Sequence, residues 1–526
     1  MANIAFYGSH NAAVAVEQNG KVLTVIEIER FLGQKNAGYS QYLISYTRPY
    51  LLKYILDYIY REYGIKNYDT CYYQNTDTIE DGVKTHYEKL IPAKNYINCL
   101  HHYSHAASGL YQTDYNEAII ISFDGGGNDG FFNMYHAKDR NTIECISKHK
   151  LDLGFPYMIF GQYLKDIKFE PGLNIGNLVY SGKLMGLCSY GKINNEWLPH
   201  FTRFYIQKPD GNNYKDFLKE LSKNTGIKFD TENRIEGQEA YDIAATSQEA
   251  FEQVFFQHAD PFVKKYPKLP IILVGGCALN IILNSKLKSR YKREIFVPPN
   301  PNDCGLASGM ILDHIKPKKA IDLTYSGTEV LDKDRLMYYI EQQRGIELKY
   351  LDVCDDLMKG HIIGCVRGTS EHGPRALGNR SILCNPGMLK MKEVLNEKVK
   401  SREWYRPFAP VCRLEDVNKY FNFKDESRFM SFCPTVKAKW RKKLSSITHV
   451  DNTARVQTVT KEQNEWLYNL LTEFEKASGF GVLLNTSFNV NKKPILSSYA
   501  EAIEVFKNTR MDKLILEDYY IKWKHV

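Results

Sequence analysis

Apolar and polar residues alternate from the first positions of the chain. "NIAFYGSH" and "AAVAVEQNGKVLTVIEIERF" read as strands of period two, the latter turning at Asn19-Gly20 as a hairpin. Two later runs, "EAIIISFDGGGNDGFFNMYHA" and "LPIILVGGCALN", are continuously apolar and then break into glycines, the pattern of buried strands that end in tight loops. Ala240 to Lys265, "AYDIAATSQEAFEQVFFQHADPFVKK", repeats its apolar positions at helical spacing and predicts a long helix. Over residues 316 to 335, "KPKKAIDLTYSGTEVLDKDR", the periodicity loosens into a charged connector with Gly and Pro, which sets a domain boundary near residue 330. Beyond it come a helix-like stretch and a strand, "HIIGCVRG". Strands alternating with helices make the class α/β. No internal repeat and no low-complexity segment is visible.

The chain has 526 residues, more than one hydrophobic core usually serves, so two domains are expected, 1–330 and 331–526. With 43% hydrophobic and 25% charged residues the composition is that of a soluble globular protein. No run reaches a membrane span of about eighteen apolar residues, and the first residues lack a basic stretch followed by an apolar one, so no signal peptide is expected. The eleven cysteines form no CxxC pair, and Cys71, Cys145, Cys277, Cys365 and Cys433 sit in or beside apolar stretches. Reduced thiols and a cytoplasmic location follow as expectations, with neither a disulfide framework nor a structural zinc site. The net charge of +8 permits a polyanionic partner without requiring one.

Candidate chemistry begins at "CLHHYSHAASG", where His101 and His105 stand four apart and share one face of a helix. They are either metal ligands or satisfied core histidines. Asp124 ends "AIIISF" and Asp303 lies in "VPPNPNDCGLASG"; two imidazoles and two carboxylates make a set suited to Fe(II), Mn(II) or Zn(II). Asp124 is alternatively a ligand of nucleotide-bound Mg²⁺, and Asp303 alternatively a helix N-cap. Gly125 and Gly126 in one loop, and Gly275, Gly276 and Asn280 in the other, suggest the paired phosphate loops of an actin-like ATPase; the bland alternative is two ordinary turns. The second part concentrates fixed cations, Arg375, Arg380, Lys400, Arg402 and Arg406, and "LLNTSFN" adds Ser487 and Asn489 after a buried strand. Such a pocket suits a small polyanion, unless the cations are taken up in salt bridges with Glu371, Glu397 and Glu403.

Nine ordered blocks, "HHYSHAASG", "SFDGGGNDG", "GKLMGLCSYG", "VGGCALN", "NPNDCGLASG", "EHGPRALGNRSIL", "REWYRPFAPV", "HVDNTARVQTV" and "LLNTSFNV", resemble those of the O-carbamoyltransferases that act on nodulation factors, cephems and aminoglycosides. The resemblance spans essentially the whole chain. It implies an actin-like N-terminal domain similar to the tRNA threonylcarbamoyl transferases and an α/β C-terminal domain similar to the threonylcarbamoyl-adenylate synthases. It implies His101, His105, Asp124 and Asp303 as metal ligands, with Fe²⁺ the expected ion and Mn²⁺ or Zn²⁺ the alternatives. The synthase-like signature falls on Lys400, Arg402, Ser487 and Asn489, with Arg375 and Arg406 as further phosphate contacts. The expected reaction uses carbamoyl phosphate and ATP, with Mg²⁺, to make carbamoyl-adenylate, and then carbamoylates an acceptor hydroxyl, with His10 as candidate base. Two positions depart from the family: His10-Asn11 where it reads His-Asp, and Lys492-Lys493-Pro494 where it often has Gly-Glu-Pro.

For the acceptor, "KAKWRKKL" sets Lys437, Lys439, Arg441, Lys442 and Lys443 around Trp440, which reads as cations about a stacking platform. On that basis a hydroxymethyl-pyrimidine in DNA is narrowly favoured over a sugar or small natural product. A homodimer is allowed by the sequence. The rival classes are an actin-like kinase or ATPase and a non-catalytic nucleic-acid-binding protein.

Overall fold

The structure is a computed structural model and describes residues 2–37, 49–74, 88–168, 178–207, 209, 213–490 and 492–522. Its first sheet runs in the order Lys21–Glu27, Ala13–Gln18, Ala2–Tyr7, Tyr68–Gln74, Ala93–Asn98. The first three strands are antiparallel and the last two parallel to Ala2–Tyr7 and to one another. The hairpin turns where expected, with both Asn19 and Gly20 at positive φ, as a primed two-residue turn requires. Its second strand stops at Glu27, and "IERFL" forms a short helix, Ile28–Leu32.

The second sheet repeats this order: Thr142–His149, Gly130–Asp139, Ala118–Gly127, Ile271–Val274, Ile295–Phe296, again three antiparallel strands followed by two parallel ones. The duplicated sheet is an actin-like core. The chain therefore contains a structural repeat that its sequence hides, because only strand order and direction recur while the helices inserted between strands differ. The helix expected at 240–265 spans Gly237–Lys265 and lies in the larger insertion of the second copy.

The helices that end each copy are exchanged. His101–Tyr111 follows the last strand of the first sheet but packs on Ala118–Gly127 and Ile271–Val274 of the second; Leu306–Ile315 follows the last strand of the second sheet but packs on Ala2–Tyr7 and Ala13–Gln18 of the first. Strand alternation explains what they meet. Ala5, Tyr7, Ala13 and Ala15 form the small inner face beneath Leu306, Met310 and Ile311, while Ile4, Phe6, Val14 and Val16 face the opposite core. The two helices cross closely at Gly309, where a Cβ would sit 2.0 Å from the Ser104 carbonyl oxygen, and Gly109 brings the first helix close to its strand, where a Cβ would sit 2.6 Å from Ile272 Cγ2.

A third, mixed sheet of eight strands is built from residues 346–521 and surrounds its own core. Ile363–Val366, Arg380–Cys384 and Val482–Ser487 are central in it. The eleven cysteines are free, and Cys145 is exposed, not packed with apolar residues as its neighbours in sequence suggest. Among the described residues no helix is long and apolar enough to cross a membrane.

Candidate metal centre and anion pocket

The loop after Ala118–Gly127 shapes the histidine helix. Asn128 Oδ1 accepts the His101 N–H at 2.9 Å, and the Asp129 carboxylate accepts those of His102 at 2.8 Å and Tyr103 at 3.3 Å. Free N–H groups at a helix start are thus met by acceptors, one of them anionic, which also suits the helix dipole. Gly127 leaves room for the first histidine, since a Cβ there would lie 2.5 Å from His101 Cβ.

The three buried histidines of this helix separate cleanly. His102 is a core histidine, with Nδ1 2.7 Å from Ser122 Oγ and Nε2 2.9 Å from the Gly130 carbonyl. None of the four ring nitrogens of His101 and His105 has a hydrogen-bond partner. Buried polar atoms are ordinarily paired, so these orphans ask for a ligand. They lie with Asp124 and Asp303 in a cluster whose donor atoms are all within 4.8 Å of one another. His105 Nε2 is 3.6 Å from Asp124 Oδ2 and 3.4 Å from Asp303 Oδ1, and His101 Nε2 is 3.7 Å from Asp303 Oδ1. Two imidazole nitrogens and two carboxylates fit a divalent ion such as Fe²⁺, Mn²⁺ or Zn²⁺.

Each carboxylate is oriented from outside the cluster. Asp124 accepts the N–H of Gly125 at 2.7 Å and of Gly276 at 2.5 Å. Asp303 opens the turn Asp303–Gly305 and accepts the Tyr7 hydroxyl at 2.6 Å. The helix after it has Gly305 as N-cap with no side-chain bond, so Asp303 does not serve as the cap. Burial alone would raise the Asp303 carboxyl, but His10, His101 and His105 hold it well below the usual carboxylate range. His10 stands at the open side, 45% exposed, with Nδ1 3.4 Å from Asp303 Oδ2.

The glycine loops have local structural duties. Gly275 has φ +92° and a Cβ there would meet the Phe123 carbonyl at 2.2 Å; Gly126 has φ +134° with Phe131 beneath it. Asn280 caps the helix Ile281–Tyr291 through Leu283 N–H and exchanges side-chain hydrogen bonds with Gln248, so its amide is already occupied.

In the third sheet, Lys400 is buried at the end of Val482–Ser487. Its Nζ donates to the carbonyls of Ser487 at 2.6 Å and Asn489 at 2.9 Å and to Asn489 Oδ1 at 2.5 Å, while Ser487 Oγ donates to Asn489 Oδ1 at 2.8 Å. Lys400, Ser487 and Asn489 are therefore one knot. Arg402 is held by Asn396 and lies over Phe408 at 4.3 Å. Arg406 is 3.7 Å from Glu403, which is itself bound by Lys183. The other proposed ion pairs do not form: Glu371 Oε1 accepts the backbone N–H of Leu377, Asn379 and Arg380, and Glu397 is exposed. Arg380 likewise points away, donating to the Arg367 and Gly368 carbonyls.

The cations repel one another. Burial and then Arg406 push Arg375 down to about 10. Lys400 is driven well below its usual value by burial, then by Arg402, Lys35 and Arg406. Arg455 is pushed down by burial, then by Arg375 and Arg406. Arg455 and Lys35 were not among the residues expected here. Lys35 comes from the other end of the chain, and Arg455 stands alone in its block, so neither carries a spacing signal. Lys400 is buried, the four arginines are half-buried and Lys35 is exposed, so like charges gather in one place that solvent and a polyanion can reach.

The two centres are tied together. Arg30 donates to the carbonyls of Glu371 and Gly373, and His372 Nε2 lies 3.0 Å from the Cys304 carbonyl, beside Asp303. Asn300 lies 3.3 Å from the His372 ring and accepts Gln112 Nε2 at 2.9 Å, just past the histidine helix. Gly373 has φ +123°, and a Cβ would sit 2.1 Å from the Pro299 carbonyl. Gly373→Ala is therefore expected to destabilise the fold by about 2–3 kcal/mol, seen as a lower thermal midpoint.

The basic run at 437–443 differs from its sequence reading. Trp440 is half-buried, its ring 5.0 Å from Tyr420 and its N–H donated to the Lys419 carbonyl. Lys437 donates to the Asn418 carbonyl, Arg441 to that of Val436 and Lys443 to that of Ser478. Trp440 packs one edge on the core, Lys439 and Lys443 lie over its ring at 6.0 and 5.7 Å, and Lys442 is exposed.

Against known proteins, the carbamoyltransferase N-terminus family matches residues 45–312 and the carbamoyltransferase C-terminus family matches residues 354–523. The chain is 33% identical to Nodulation protein NolNO of Sinorhizobium fredii over 80% of its own length, and spans 63% of that relative. It is 31% identical to Nodulation protein NolO of Bradyrhizobium diazoefficiens, covering 80% of this chain and 78% of the relative. With 3'-hydroxymethylcephem-O-carbamoyltransferase of Streptomyces clavuligerus it shares 33% identity, over 51% of each chain. Two matching family regions joined on one chain, over the sheets that carry the two centres, make it a member of the carbamoyltransferase family.

Proposed function

We propose that the protein is an O-carbamoyltransferase that works in two steps. The observation that carries this reading is the cluster of Arg375, Lys400, Arg402, Arg406 and Arg455, cations crowded together beside Glu403, a carboxylate itself bound to Lys183. This cluster holds carbamoyl phosphate and the phosphates of ATP. Water hydrolyses carbamoyl phosphate to carbamate and phosphate; an oxygen of the carbamate then attacks the α-phosphorus of ATP, and pyrophosphate leaves. The protein's share is to hold anions in line against their repulsion, which fixed cations do without covalent chemistry.

Transfer takes place in the first unit, where the acceptor hydroxyl attacks the carbamoyl carbon and AMP leaves. His10, exposed beside Asp303, takes the hydroxyl proton. His101, His105, Asp124 and Asp303 would hold a divalent ion, Fe²⁺ by the family resemblance, which supplies Lewis acidity to an oxygen at the reacting centre. Pyrophosphate release that depends on carbamoyl phosphate, together with a mass gain of one carbamoyl group in an added acceptor, tests the scheme. ATP hydrolysis indifferent to carbamoyl phosphate would favour the kinase or ATPase alternative.

For the acceptor we infer a sugar or other small hydroxyl compound, because Trp440 is half-buried against Tyr420 with Lys439 and Lys443 already over its ring. A hydroxymethyl-pyrimidine in DNA then has only Lys439 and Lys442, with the half-committed Arg441 and Lys443, to hold its phosphates. Replacing all four by Ala is expected to change duplex binding at low salt by less than about twofold, where loss of four phosphate contacts would cost far more and flatten the salt dependence. A steep loss in that variant would restore the DNA acceptor.

A further inference from the structure

Within the metal centre proposed above, one buried contact has no part in ligation. Tyr7 is the last residue of its strand, and its ring meets His101 edge-on at 6.1 Å. Its hydroxyl donates to Asp303 Oδ2 at 2.6 Å, whereas the oxygen that faces His101 and His105 is Oδ1. The two oxygens of Asp303 are thereby divided, one anchored and one presented.

We infer that Tyr7 is a positioning residue that selects which oxygen of Asp303 is offered to the metal, and so strengthens metal binding; the inference rests on the metal-centre reading. A carboxylate turns easily about its Cβ–Cγ bond, and unrestrained it presents either oxygen or both. An O–H···O⁻ bond of this length is strong and directional, and outer contacts of this kind tune ligand orientation and affinity. The other group near Oδ2 is His10, at 3.4 Å and half exposed, which is a weaker restraint. Asp124 is fixed differently, with the Gly125 N–H on Oδ1 and the Gly276 N–H on the Oδ2 that faces His105, so the division into anchored and presented oxygens is particular to Asp303.

The test uses the full-length, metal-stripped protein titrated with Co²⁺, read by calorimetry and by visible d–d absorption. Tyr7→Phe keeps the ring against His101 and removes only the donor. It is expected to weaken Co²⁺ binding about 10- to 100-fold and to change the absorption envelope as Asp303 alters its mode of ligation. In an Asp303→Asn background the same substitution is expected to shift affinity less than about twofold, because its effect passes through the carboxylate. Wild-type affinity and spectrum in Tyr7→Phe, or an equal loss in both backgrounds, would overturn the inference while leaving the centre standing. Failure of the wild-type protein to bind Co²⁺ would overturn the centre and the inference together.

Discussion

Lys400→Ala and Ser487→Ala are each expected to lower pyrophosphate release by at least about a thousandfold, while His101→Ala retains it and loses only the final transfer. The asymmetry follows from the knot at the end of Val482–Ser487. Lys400 Nζ binds both carbonyls and the Asn489 side chain, so removing it takes away a charge and frees the donors and acceptors that shape the pocket. His101 lies in the other unit and touches none of them. Pyrophosphate release measured in the three variants, with circular dichroism to confirm folding, decides the matter. Loss of release in a folded His101→Ala protein would mean that the two centres do not divide the chemistry.

Metal content should fall below about a tenth of wild type in His105→Ala and in Asp303→Ala, since removing one of four ligands usually leaves a site too weak to survive purification. His102→Asn is the control: its nitrogens are paired to Ser122 and Gly130, so it should keep the metal and lose thermal stability instead. The binding should also depend on pH. Burial tends to lower His105, but the Asp124 and Asp303 carboxylates outweigh it and raise it to about 9. In the metal-free protein this imidazole is therefore protonated at neutral pH, and an incoming ion must displace that proton. Affinity is expected to climb as pH rises toward 9 and then level off. Elemental analysis of the variants and titrations at several pH values test both statements; equal metal in all preparations would make His101 and His105 core residues.

Much of the first unit was legible because its signals are local. Asn19-Gly20 marks a turn by its own backbone preference, the 240–265 segment declares its helix by periodicity, and His101 and His105 share a face by spacing alone. Asp124 and Asp303 were legible as strand-end carboxylates, though which oxygen of each faces the histidines depends on Gly276 and Tyr7, residues distant in sequence. The anion pocket was legible in part: Arg375, Lys400, Arg402 and Arg406 stand in recognisable blocks, but Lys35 and Arg455 join them only through the fold. The setting of Trp440 was legible in part, since Lys439 and Lys443 do lie over its ring. A tryptophan among lysines looks exposed in a string, yet Tyr420 and the Lys419 carbonyl claim its ring and its N–H. The repeated sheet escaped notice altogether, because what recurs is direction and order, which no residue spells.

That repeat sets the layout of the metal centre. His101 begins the helix that closes the first copy, and Asp303 begins the turn into the helix that closes the second; Tyr7 ends the middle strand of the first sheet, and Asp124 stands near the end of its counterpart in the second. Three of the four ligands and the tyrosine that holds Asp303 thus occupy two pairs of equivalent places, each pair holding different residues. Symmetric pairing of identical chains would put the same side chain at both members of such a pair, whereas within one chain the two positions can differ, as nitrogen and oxygen do here. With the closing helices exchanged, neither half has both faces of its sheet covered or a full set of donors without the other.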